Sequence, residues 1–123
     1  MGRFSTSKAA GFRTILVITF AVNSEAHYPA VIRSFKNKET EAVFQGEHVK
    51  GLDGRIQQRA REKLRYLDSA DDLRDLMVPP SNQLEALKGT RKGQYSIRIN
   101  RQWRVCFTWK DGDASEVEIV DYH

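Results

Sequence analysis

Residues 84–123 read LEALKGTRKGQYSIRINRQWRVCFTWKDGDASEVEIVDYH, and the middle of this stretch decides the fold. Inside it, Gln94-Tyr95-Ser96-Ile97-Arg98-Ile99 and Trp103-Arg104-Val105-Cys106-Phe107-Thr108-Trp109 put apolar or aromatic side chains on one face. Ser, Arg, Cys and Thr fall on the other, which is the period-two signature of half-buried strands. Asn100-Arg101-Gln102 lies between them. With all three in the loop, Ile99 opposes Trp103, Ile97 opposes Val105 and Tyr95 opposes Phe107. A two-residue loop would set Ile99 against Arg104 and break the apolar face. The same register sets Arg98 directly opposite Arg104. Like charges at one cross-strand position repel, so something anionic is expected over that face, either a protein carboxylate or a ligand phosphate.

Working outward, Lys110-Asp111-Gly112-Asp113 is a tight hairpin signal. Residues 115–120 form a final strand, with Val117 and Ile119 towards the core and Glu116 and Glu118 opposite. Those glutamates offer the ligand-free answer to the arginine pair, by cross-strand ion pairing. On the other side, Leu84-Glu85-Ala86-Leu87 predicts a strand ending at Lys88-Gly89. Thr90-Arg91-Lys92-Gly93 then makes a basic turn, either a plain solvated hairpin or a group of cations beside the arginine pair. Pro79-Pro80-Ser81-Asn82 marks a loop, and residues 71–75 a short acidic turn.

Asp53 is a good N-cap for the longest helix signal, residues 53–70, with Ile56, Ala60, Leu64 and Leu67 on one face. Arg55, Arg59, Arg61, Lys63 and Arg65 decorate its other faces, as solvated surface or as a phosphate track. A shorter helix is expected over 36–46, with Thr40, Val43 and Phe44 at helical spacing and Gly46 as the stop. Val31-Ile32-Arg33-Ser34-Phe35 is strand-like. Strand, two helices and three or four antiparallel strands make an α+β layer, helices on one sheet face.

The 123 residues fit one domain, able to bury about two-thirds of its unfolded surface. A net charge of +4 favours a polyanionic partner only mildly. The single cysteine, Cys106, allows no internal disulfide, and no Cys/His spacing suggests zinc. A reducing compartment, the cytoplasm, and a structural Cys106 fit this best. Residues 1–30 read differently. Arg3, Lys8 and Arg13 precede the apolar run 15–22, which is too short to span a bilayer. With Ser24-Glu25-Ala26 behind it, the run faintly suggests a secretory signal peptide; the alternatives are a disordered or edge-strand extension, or residues encoded upstream of the true start.

The stretch 31–123 resembles the HigB toxins of the RelE/ParE superfamily, toxin halves of bacterial type II toxin–antitoxin pairs. Its carriers are Ile32-Arg33-Ser34-Phe35, the run Leu87-Lys88-Gly89-Thr90-Arg91-Lys92-Gly93-Gln94-Tyr95-Ser96-Ile97-Arg98-Ile99-Asn100, then Gln102-Trp103-Arg104, and Asp121-Tyr122-His123. Each motif is weak, but their order and spacing together are specific. Val31 stands where such toxins have their initiating methionine, so residues 1–30 are expected to be an N-terminal extension outside the family pattern, and 31–123 the toxin domain. The resemblance implies a RelE-like α+β fold, two N-terminal helices packed on a small antiparallel sheet. It also implies ribosome-dependent mRNA cleavage without metal or cofactor, silenced by a HigA-type helix-turn-helix antitoxin, with operator DNA contacted only through that antitoxin and no membrane.

In such cleavage an RNA 2′-OH attacks its neighbouring phosphate, so a site needs a base, cations for the phosphate oxygens and an acid for the 5′ oxygen. Arg104 is the best oxygen clamp, because a guanidinium offers parallel donors and keeps its charge. Lys88 matches a family active-site lysine and supplies a second cation. His123, matched through Asp121-Tyr122-His123, is the proton carrier, since imidazole titrates near neutrality. Its terminal carboxylate would favour the imidazolium. Asp121 is expected to orient that ring, and Tyr122 to bind or stack on RNA. Arg91, Lys92 and Arg98 are expected RNA contacts. Glu85 departs from the family, where some members carry histidine; it is either the base or a partner for Lys88. The competing function is a ParE-like gyrase poison on the same fold, which needs no phosphate-cleaving constellation. A weaker third is a basic RNA-binding module or decayed toxin.

Overall fold

The computed structural model describes residues 30–122, so the apolar run at 15–22 and His123 lie outside the described residues. Asn37 caps the first helix, α1 (Lys38–Phe44), by accepting the Thr40 N–H at 2.8 Å. Asp53 likewise caps α2 (Gly54–Asp68), accepting the Arg55 N–H at 2.8 Å. Four antiparallel strands follow, β1 (Glu85–Ala86), β2 (Gln94–Arg98), β3 (Trp103–Lys110) and β4 (Asp113–Asp121), in the spatial order β1-β2-β3-β4. Among the described residues no helix is long and apolar enough to cross a membrane.

The β2–β3 register is the one required by the apolar face. Tyr95 pairs with Phe107, Ile97 with Val105 and Arg98 with Arg104. Ile99 donates to the Trp103 carbonyl at 2.9 Å, which closes the three-residue loop. Asn100 builds that loop by accepting the N–H groups of both Gln102 and Trp103 at 2.8 Å. At the next hairpin, Asp111 and Gly112 both take positive φ, 53° and 81°, the geometry that lets a two-residue turn follow the twist of its strands.

Ile97, Ile99, Val105, Phe107, Ala114 and Val117 face the helices and pack with Ala60, Leu64 and Leu67 of α2. The expected stripe of α2 shifts by one residue at its start. Ile56 is only half-buried, while Gln57 is buried in its place. Gln57 is satisfied there, accepting the Val49 N–H at 2.8 Å and donating to the carbonyls of Val49 and Leu52 at 3.0 and 2.7 Å. It pins the loop between the helices. Of the basic residues of α2, Arg55, Arg59 and Arg65 are exposed, as a solvated face would have it, and several also reach neighbouring elements. Arg59 donates to the Ile99 carbonyl at 3.1 Å, Arg61 to the Phe44 carbonyl at 3.4 Å, and Arg65 lies 6.0 Å from the Phe44 ring centroid. They tie helix to sheet and helix to helix.

Residues 31–35 run parallel to β4 through two isolated bridges, Ile32 to Ala114 and Phe35 to Val117. The register of β4 against β3 slips between those points, so Glu116 is an extra residue, with φ of 52°. Its N–H donates to Ser34 Oγ at 2.9 Å and its carboxylate accepts from that hydroxyl at 3.2 Å. The bulge thus turns Glu116 to the edge segment, where the alternation had set it beside Glu118.

Candidate active site

On the sheet face away from the helices, Ser96 and Cys106 are fully buried and Arg104 nearly so. Leu87 is buried as well and stands outside the main core cluster. The loop before β1 shapes this face. Asn82, fully buried, donates to the carbonyls of Leu76 and Val78 at 3.2 and 3.3 Å and accepts from Lys63. That anchors the short Pro80–Asn82 turn, after which Gln83 enters the left-handed region at φ 45° and ψ 56°. The kink carries both oxygens of Gln83 onto the Arg104 guanidinium, the backbone carbonyl at 3.2 Å from Nη1 and Oε1 at 3.3 Å from Nη2.

Arg104 Nη1 also donates to Ser96 Oγ at 2.5 Å. The anion anticipated over the arginine pair is Glu85, whose Oε1 lies 3.4 Å from Nη1. This overturns the expectation that Glu116 and Glu118 neutralise Arg98 and Arg104. Glu116 is drawn to Ser34, and Glu118 pairs instead with Arg91 at 3.4 Å and Lys36 at 3.9 Å. It also overturns the pairing of Glu85 with Lys88. Glu85 remains 58% exposed, so its carboxylate sits on the solvent side of the pair. Arg98 forms no ion pair with a described residue.

The other candidates divide. Tyr122 joins the group, its ring centroid 5.8 Å from Arg104 Cζ and its N–H held by the Gln102 carbonyl. Asp121 pairs across from Trp103 and accepts from Gln102 Nε2 at 3.2 Å. Lys88 is exposed at the end of β1, its carbonyl accepting the Arg91 N–H at 3.2 Å. Arg91 is drawn away to Gln94 Oε1 at 3.0 Å and to Glu118, while Lys92 is exposed beside it. Arg104, Glu85 and Tyr122 therefore come together; Arg91 does not join them. Burial pushes the Cys106 thiol above its ordinary value, with Arg91 opposing the shift. A thiol held neutral under the sheet is a packing residue, not a nucleophile.

Ser96 and Gln83 were not among the expected site residues. Ser96 was within reach of the strand register, which makes it the diagonal neighbour of Arg104 across β2 and β3. Gln83 carried no signal, because its role depends on one left-handed residue.

A family model described as the RelE-like toxin HigB of type II toxin–antitoxin systems matches residues 33–123. The chain belongs to the HigB-like toxin family. Toxin HigB-1 of Vibrio cholerae is 40% identical over 81 residues, 65% of this chain and 85% of that protein. Endoribonuclease HigB of Proteus vulgaris is 31% identical over 93 residues, 76% of this chain and all of that one. Among solved structures, the YoeB–YefM complex of Staphylococcus aureus contains a chain similar in fold, with a TM-score of 0.50, 18% identity, and 75% and 97% of the two chains covered. The RelE-like α+β fold expected from the sequence is thus the observed one. As a type II toxin the protein has an antitoxin for its partner.

Proposed function

We propose that this HigB-like toxin is an mRNA endoribonuclease that acts with the ribosome in the cytoplasm and arrests growth by stopping translation. The observation that carries the proposal is Arg104, a nearly buried guanidinium held mainly by neutral acceptors, Ser96 and Gln83, with the exposed Glu85 and Tyr122 alongside. Burying a cation is costly unless it is hydrogen-bonded. Here the cost is met by neutral acceptors together with one carboxylate, Glu85, on the exposed side of the pair, and we take a phosphate to share that exposed side. The relative named Endoribonuclease HigB, matched over its whole length, supports the same reaction.

In this mechanism Arg104 binds the scissile phosphate and stabilises the charge that grows on its oxygens. Glu85 takes the 2′-OH proton as the 2′ oxygen bonds to phosphorus. His123 gives a proton to the 5′ oxygen as the bond to it breaks, leaving a 2′,3′-cyclic phosphate and a 5′-hydroxyl. No metal enters. Lys88 adds a second cation, Asp121 orients His123, and Tyr122 stacks on a base beside Arg104. Arg98, Arg91 and Lys92 hold flanking phosphates. A HigA-type helix-turn-helix antitoxin covers this basic face or distorts the sheet, and brings the pair to operator DNA. Residues 1–30 are an extension ahead of the toxin domain, 31–123, which mass spectrometry of the native N-terminus tests.

Primer extension on cellular mRNA after induction tests the reaction. Codon-associated cuts that vanish with Arg104→Ala are expected. Inhibited gyrase supercoiling over intact mRNA would replace this function with that of a ParE-like poison.

A further inference from the structure

We infer that Gln83 and Ser96 are positioning residues that engage Nη1 and Nη2 of the Arg104 guanidinium and so leave its Nε–H for the scissile phosphate. The inference rests on the endoribonuclease function and adds to it how the clamp is aimed.

A guanidinium carries five N–H donors in a fixed plane. Ser96 Oγ, the Gln83 carbonyl and Glu85 Oε1 all converge on Nη1, at 2.5, 3.2 and 3.4 Å. Gln83 Oε1 takes one N–H of Nη2 at 3.3 Å. Nε–H donates to no described residue, and one N–H of Nη2 is left. Nε–H, with whatever Nη2 donor Gln83 leaves, is what the guanidinium can still offer a phosphate oxygen. The Tyr122 ring centroid lies 5.8 Å from Cζ. Glu85 is paired to Nη1, so a phosphate taken by Nε–H need not displace the carboxylate. This leaves Glu85 in place beside the clamp to receive a proton.

Both positioning residues are fixed by the fold. Ser96 is fully buried in β2, one diagonal step from Arg104. Gln83 gets its two-oxygen grip from the left-handed turn that Asn82 and Lys63 anchor. Neither touches the reacting atoms. Without them the guanidinium keeps its charge and loses its aim, so the transition state suffers more than binding.

The test uses the full chain with the variants Gln83→Ala, Ser96→Ala and Ser96→Thr. On ribosome-bound mRNA, Gln83→Ala and Ser96→Ala are expected to lower kcat by about tenfold with KM changed less than about twofold. Ser96→Thr, which keeps the hydroxyl, restores most of the rate. In an Arg104→Lys background the same alanine changes cost less than about threefold, because the guanidinium they aim is gone. A second arm needs no cleavage. The Arg104 Nε–H resonance is followed by NMR while an RNA trinucleotide blocked by 2′-O-methyl groups is added. It is expected to move in the wild-type protein and to stay still in Gln83→Ala and Ser96→Ala. Movement confined to Nη1, or equal movement in all variants, overturns the inference. Wild-type protein that leaves mRNA intact overturns the nuclease function instead, and the NMR arm still decides the orientation.

Discussion

Replacing Arg104 by lysine keeps the positive charge and removes the planar fork, so it separates charge from geometry at the centre of the site. The lysine ammonium is a compact point charge with freely rotating donors. It cannot hold Ser96 Oγ and both oxygens of Gln83, which Arg104 grips at 2.5 to 3.3 Å, and also keep a donor free for the phosphate. One charge-assisted hydrogen bond to the transition state is then lost, worth about 1.5–3 kcal/mol. At about 1.4 kcal/mol per factor of ten, kcat falls roughly 10- to 100-fold. Folding is also affected, because Ser96 is fully buried and loses its best donor. That costs about 1–2 kcal/mol, or a fall in Tm of roughly 4–10 °C. Single-turnover cleavage on programmed ribosomes and a thermal melt measure the two effects. A lysine variant that cleaves within about threefold of wild type would show that charge alone suffices, and the requirement for a guanidinium would be refuted.

Three further outcomes are expected. Glu85→Gln keeps the fold, since Arg104 retains Ser96 and Gln83 as acceptors and the glutamine can still accept from it, but lowers cleavage about 100-fold by removing the base; a loss under threefold takes Glu85 out of the mechanism. Asn82→Ala frees the carbonyls of Leu76 and Val78 and the Lys63 ammonium, lowering stability by about 1–3 kcal/mol in urea and slowing cleavage through Gln83. Cys106 titrates higher in the folded protein than its ordinary 9.0, chiefly through burial. Its contribution to stability is therefore complete below that pH and is lost as pH rises through the folded value. Cys106→Ala should flatten the alkaline decline, and iodoacetamide should modify native Cys106 no faster than the protein unfolds. Rapid alkylation at neutral pH would contradict the burial.

Where alternation and turn chemistry act locally, the sequence was readable. The three-residue loop after Ile99, the facing arginines and the Asp111-Gly112 turn all follow from side-chain period and backbone preference. Asp53 was legible as the cap of the long helix; Asn37 was not, and the first helix, expected from residue 36, begins at Lys38. What was not readable depends on parts of the chain far apart. Glu116 leaves the arginine face because Ser34, eighty-two positions away, holds its amide and carboxylate. Gln57 is buried because loop carbonyls around Val49 and Leu52 receive its amide. The cations of α2 find carbonyls and a ring on neighbouring elements, which no helical pattern encodes. At the site, Arg104 and Glu85 were legible as residues but not as a pair, since that contact needs β1 laid beside Ser96. Gln83 was invisible for the same reason, with a left-handed backbone doing what its side chain type does not announce.

The account rests on a phosphate gripped by Arg104 and broken by its own 2′-OH. Its most direct test is the chemistry of the ends formed when purified toxin meets mRNA on ribosomes. The expected ends are a 2′,3′-cyclic phosphate and a 5′-hydroxyl, formed by the wild type and suppressed about 100- to 1,000-fold in folded Arg104→Ala. Ends bearing a 5′-phosphate, or undiminished cutting by that variant, would contradict it.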